Sequence, residues 1–117
     1  MRFVLRGLRA LLSLLPVLLL LSACKGDLDE KNFVGKWQSS RLATPIYLNA
    51  HGEWEIKTDA GRVLQYGVWK VKDRKITWSY KVDGRIDHDW DPIVSSKPRE
   101  FKVKEDDGSI TTFTKLD

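Results

Sequence analysis

Lys75-Ile76-Thr77-Trp78-Ser79-Tyr80-Lys81-Val82, followed at once by Asp83-Gly84, decides the fold. Ile76, Trp78, Tyr80 and Val82 alternate with Lys75, Thr77, Ser79 and Lys81. Successive side chains of a strand point to opposite faces, so the stretch reads as a strand with one apolar and one polar face. Both residues of Asp83-Gly84 tolerate positive φ, which marks a two-residue hairpin. The chain is expected to turn back antiparallel there.

The same pattern extends in both directions. Phe33 to Ser40 opens the series, and Pro45 to Ala50 places Ile46, Leu48 and Ala50 on one face. Asn49-Ala50-His51-Gly52 is a turn, and Glu53 to Thr58 sets Trp54, Ile56 and Thr58 against Glu53, Glu55 and Lys57. After Asp59-Ala60-Gly61, Arg62 to Lys72 is apolar on both faces, with Gly67 in its middle as an expected bulge or bend. Asp73-Arg74 leads into the opening stretch. A short strand follows from Arg85 to Trp90, ended by Pro92, which cannot donate to a ladder. Ile93 to Lys97 fits either strand or loop. Arg99 to Glu105 and Ile110 to Leu116 are joined through Asp106-Asp107-Gly108-Ser109. Seven or eight short strands in meander order, with little room for a helix, predict an all-β antiparallel barrel. Closure removes the exposed edges that invite aggregation.

The N-terminal end is of another kind. Arg2, Arg6 and Arg9 precede an apolar run from Ala10 to Leu21, interrupted by Ser13 and Pro16. A run of this length falls short of the ~20 residues that span a bilayer, and has the form of a secretory signal. It ends Leu21-Ser22-Ala23-Cys24. The protein holds 20 basic and 16 acidic residues, and the three arginines of the signal account for most of the excess. The remaining bases and acids are interspersed, which excludes the clustered basic stripe of a nucleic-acid partner. Lys57, Lys70, Lys72, Lys102 and Lys104 read as an outer face, open to contact with anionic head groups but, with acids interspersed, taken first as solvated. Cys24 is the only cysteine, so no disulfide supports the fold.

Leu21-Ser22-Ala23-Cys24 resembles the lipobox of bacterial lipoproteins. The resemblance implies cleavage before Cys24, lipidation of its sulfur and acylation of its amine. It divides the chain into a signal peptide (1–23), a polar lipidated tether (24–31) and a barrel domain (32–117). Lys25, where an aspartate would retain such a protein in the inner membrane, implies the outer membrane, facing the periplasm. Gly35-Lys36-Trp37 resembles the Gly-x-Trp signature of lipocalins. Leu48 to Trp54, Tyr66-Gly67-Val68-Trp69 with Ile76-Thr77-Trp78, and Phe101 to Ser109 with Thr112-Phe113-Thr114 are similar to the hairpins of small bacterial lipocalin-like domains. The resemblance implies a glycine that lets a neighbouring segment pass close and a Trp37 that plugs the closed end. The chain is about half the size of a conventional lipocalin.

Candidate chemistry is sparse. Asp87, Asp89 and Asp91 stand at the alternate spacing that starts a calcium loop. Pro92 then occupies the position that needs glycine, and Pro98 the position of the bidentate glutamate. An acidic rim with Trp90 packed inward is the expected reading. His51 and His88 are too few for a defended metal site. Ser95 and Ser96 lack the context of a hydrolytic triad. No catalytic residue, metal or cofactor is assigned. Trp37, Trp54, Tyr66, Trp69, Trp78 and Tyr80 are the candidate ligand-binding residues, taken as core first and as a pocket at the barrel mouth second. Two functions remain. One is binding of a small apolar or amphiphilic ligand. The other is an interaction module with a filled barrel, contacting an envelope protein or cell-wall polymer. A cavity of a few hundred Å³ lined by aromatics favours the first.

Overall fold

The computed structural model describes residues 28–116. The signal peptide, Cys24 and the start of the tether lie outside them. The described chain closes eight antiparallel strands into a barrel in strict sequence order. They are β1 (Gly35–Ser39), β2 (Ile46–Leu48), β3 (Glu53–Lys57), β4 (Val63–Lys72), β5 (Lys75–Val82), β6 (Arg85–Lys97), β7 (Glu100–Lys104) and β8 (Ile110–Lys115). β1 pairs with β8, Trp37 opposite Lys115 and Ser39 opposite Phe113, so no strand is left at an edge. A single 3-10 turn, Glu30–Phe33, precedes β1.

The hairpin forms where the alternation places it. Asp83 and Gly84 both have positive φ, 49° and 81°. Asp73 and Arg74 do the same at the previous turn, with φ of 54° and 62°. Paired left-handed residues match the right-handed twist of the flanking strands, so both two-residue turns close tightly.

Two expectations change. Gly67 is not a bulge: it pairs in register with Trp54 on one side and Tyr80 on the other. A Cβ there would stand 2.0 Å from the Ser79 carbonyl and 2.7 Å from Trp54 Nε1. The glycine is the floor on which the Trp54 indole lies. The register shifts fall at Ile56/Lys57 and at Ile93/Ser95. Pro92 does not end a strand either, because β6 runs through it to Lys97. Pro92 stands opposite Lys75 at the last β5 pair, and pairing with β7 begins only at Ile93. Its missing N–H falls where β6 changes partners, so little is lost.

The core fills one end. Trp37, Phe33, Phe101, Leu48, Ile76 and Val103 are fully buried. Trp37 Nε1 donates to the Phe33 carbonyl at 2.9 Å, which holds the 3-10 turn under the barrel as a plug. Gly35, with φ 146°, lets the Lys115 side chain cross above it. The Glu30 carboxylate accepts from Val71 N–H at 2.8 Å, beyond the last β3 pair at Val68. Leu28 packs on the core. Packing therefore begins inside the stretch read as tether. From this plug an aromatic column rises: Phe33 edge-on to Phe101 (4.9 Å), Phe101 stacked on Phe113 (4.5 Å), Phe113 beside Trp78 (6.3 Å), and Trp78 edge-on to Trp54 (6.3 Å).

Candidate functional site

The column ends in a cavity. About 360 Å³ opens at the end opposite the plug, walled by Ile46, Trp54, Ile56, Trp78, Tyr80 and Phe113. Asp89, Asp91, Glu105 and Arg41 bring charge to it, and Gln65, Ser39 and Thr111 further polar groups. A groove of about 530 Å³ on the outer surface, against Lys36, Gln38 and Asp59, has no aromatic wall. The barrel mouth is the site with apolar walls and a few convergent polar groups.

β6 supplies the acids, and pairing explains how. Directly opposed residues of neighbouring strands share a face. Asp87 stands opposite Tyr80, and Asp89 opposite Trp78. Tyr80 and Trp78 line the cavity, so the aspartates turn inward with them, and Asp91 follows two residues on. Trp90 stands opposite Thr77 and is half exposed on the outside, not packed inward as expected. Lys75 Nζ lies 4.4 Å above its ring.

Asp91 is 7% exposed. Its Oδ2 accepts from Trp78 Nε1 at 3.1 Å, and among the described residues it has no ion-pair partner. Burial pushes its pKa up to about 6; the Trp78 bond opposes this, and the negative charges of Glu105, Asp89 and Asp106 reinforce it. Arg41, on the link between β1 and β2, is the one cation among the lining residues. It is already engaged: its Nε donates to Thr111 Oγ1 at 2.6 Å and lies 3.9 Å from Glu105, and its Nη2 bonds Ser109. These bonds pin the link to β8 across the mouth. Asp89 and Asp91 remain facing the cavity without a cation.

The candidate residues divide in three. Trp54, Trp78 and Tyr80 line the cavity. Trp37 and Trp69 do not: Trp37 is buried at the closed end, where it holds the plug, and Trp69, 4% exposed, donates from Nε1 to the Asn49 carbonyl at 3.1 Å, holding the β2–β3 turn. Tyr66 is 69% exposed on the outer wall. Asp87, Asp89 and Asp91 do not converge as a calcium loop requires. On an extended strand they are spaced about 6.6 Å apart, whereas calcium oxygens lie within about 2.6 Å of one ion. Asp87 is bonded to Arg85 Nε at 3.1 Å, and no metal-binding group of three acidic, histidine or cysteine side chains forms among the described residues. His51 is exposed in its turn, and His88 Nδ1 is 2.7 Å from Ser79 Oγ on the outer wall.

Arg41, Glu105, Thr111 and Phe113 were not among the sequence candidates. The alternation of β8 places Thr111 and Phe113 on one face, and closure of β8 onto β1 brings them beside Ser39. That pairing is the signal that points to them. No family model, no curated protein and no solved structure matches this chain.

Proposed function

We propose that this chain is a non-catalytic envelope lipoprotein whose barrel captures a small amphiphile, with an apolar body and a positively charged head, at the membrane surface. One observation carries the ligand class. Asp91 is a nine-tenths buried carboxylate on an aromatic wall, without a cation partner among the described residues, at the floor of an open cavity. Burying a charge without a partner is costly, and a ligand cation removes that cost. The electron-rich faces of Trp54, Trp78 and Tyr80 attract the same cation. The volume, about 360 Å³, lies near the small end of ligand pockets, which run from about 300 to 1,000 Å³.

The anchor rests on Leu21-Ser22-Ala23-Cys24 and its likeness to a lipobox. One acyl chain gives marginal attachment and two give a stable one, so a triacylated Cys24 holds the barrel on one membrane. A tethered barrel acts by local capture or sensing, not by carriage over distance. Native mass spectrometry of the protein purified from its host tests the reading. A co-purifying amine-bearing small molecule is the expected result, and a clean ligand-free mass counts against it.

A further inference from the structure

The acids that alternate with bases along the sequence of β4 to β6 face the barrel interior. The outer wall of these three strands is left without a carboxylate. Pairing sets its rows: Lys72, Lys75 and Pro92; Lys70, Thr77 and Trp90; Val68, Ser79 and His88; then Lys81 and Ile86. Lys70, Lys72, Lys75 and Lys81 stand in these rows, and Lys97 at the far end of β6 pairs with Glu100 of β7. Between and around them Tyr66, Val68, Ile86, Trp90 and Val94 are 45 to 69% exposed. Carboxylates reappear at its borders: Glu53 and Glu55 on β3 opposite Val68 and Tyr66, and Asp73 and Asp83 in the two turns, each within two residues of an arginine.

We propose that this wall rests on an anionic lipid bilayer. Lysines attract anionic head groups, while an indole and aliphatic side chains enter the head-group boundary. Lysine stems lie along apolar surface with their charges outward, and Lys75 over Trp90 already has this form. The position of the N-terminal end agrees with it. Glu30 bonds Val71 on β4, so the chain enters the barrel beside Lys70 and Lys72, four residues after Cys24 at Leu28. This placement rests on the proposed anchor at Cys24 and not on what the cavity binds.

The test uses the membrane-anchored protein as purified from its host, reconstituted in vesicles of phosphatidylcholine with about one third phosphatidylglycerol, the acyl chains brominated. Trp90 is the tryptophan exposed on the outer wall, so bromine reaches it first. We expect quenching of a component that Trp90→Phe lacks. That quenching should weaken in pure phosphatidylcholine and in the Lys70→Glu/Lys72→Glu variant, each lysine lost shifting the docked equilibrium about fivefold. Lys102→Glu on the β7 wall should leave it unchanged. Vesicle-bound protein with unquenched Trp90, as a wall reserved for an acidic protein partner would give, overturns the proposal. So does equal loss of quenching in Lys102→Glu, which would mean net charge and not this wall.

Discussion

Trp78 and Asp91 are joined diagonally across β5 and β6: the indole Nε1 donates to Oδ2 at 3.1 Å, although Trp78 stands opposite Asp89 and Asp91 opposite Ile76. One bond thus fixes both an aromatic wall and the buried acid of the cavity. The carboxylate keeps its charge at neutral pH at a cost to the fold, since its pKa is raised to about 6 from the usual 3.8.

The sign of that cost is testable. Between the two values the folded chain holds a proton that the unfolded chain has released. Stability therefore falls as pH rises from about 4 to about 6 and stays lower above. Two pH units correspond to at most about 3 kcal/mol. Asp91→Asn should match the parent in urea unfolding at pH 4 and exceed it at pH 7.5. Equal stability of the two proteins at pH 7.5 would show that the carboxylate is not strained.

Gly67 makes a second prediction. Gly67→Ala drives a methyl into the Ser79 carbonyl and under the Trp54 indole. Overpacking of this kind costs about 1–3 kcal/mol, and more where backbone must move. A urea midpoint unchanged by the substitution would contradict the close packing of β4 against Trp54.

The aromatics should separate by position. Trp37→Ala removes the buried indole and its bond to Phe33, which holds the plug, and should cost about 3–5 kcal/mol. Tyr66→Ala should stay within about 0.5 kcal/mol, as an exposed outer-wall residue does. Thermal or urea melts of the two variants distinguish a structural tryptophan from a surface tyrosine.

The order of strands and turns was legible because period-two alternation and turn residues are local signals. β5 was legible to its end residues, Lys75 and Val82. The site was less so, and β6 shows why. Alternation assigns apolar residues to the inside, but β6 is inverted over its first half: Asp87, Asp89 and Asp91 point in, while Ile86 and Trp90 point out. β4 carries apolar residues on both faces, so its own pattern does not say that Tyr66 faces outward. Only pairing with β5, a non-local fact, orients both strands. Trp54, Trp78 and Tyr80 were legible as cavity candidates from their own strands. Arg41 and Glu105 were not, because they meet only once the barrel closes.

The anchor has its own test. Cys24→Ser in the producing bacterium should leave the precursor uncleaved and unlipidated, as gel mobility and labelling with a radioactive fatty acid would report. Processing and membrane attachment equal to the parent would remove the lipoprotein reading and leave an ordinary signal peptide.

The central claim is that the mouth prefers a cationic amphiphile because of Asp91. Titration calorimetry with three probes of one tail, octyltrimethylammonium, octan-1-ol and octanoate, tests it directly. The cation should bind most tightly and octanoate most weakly, and cation affinity should rise as pH passes from 5 to 7. Asp91→Asn should lose both the preference and the pH dependence while still binding octan-1-ol. Binding of octan-1-ol or octanoate at least as tight as the cation would contradict the charge assignment yet keep the cavity as a binding site; no heat with any of the three would contradict the binding function itself.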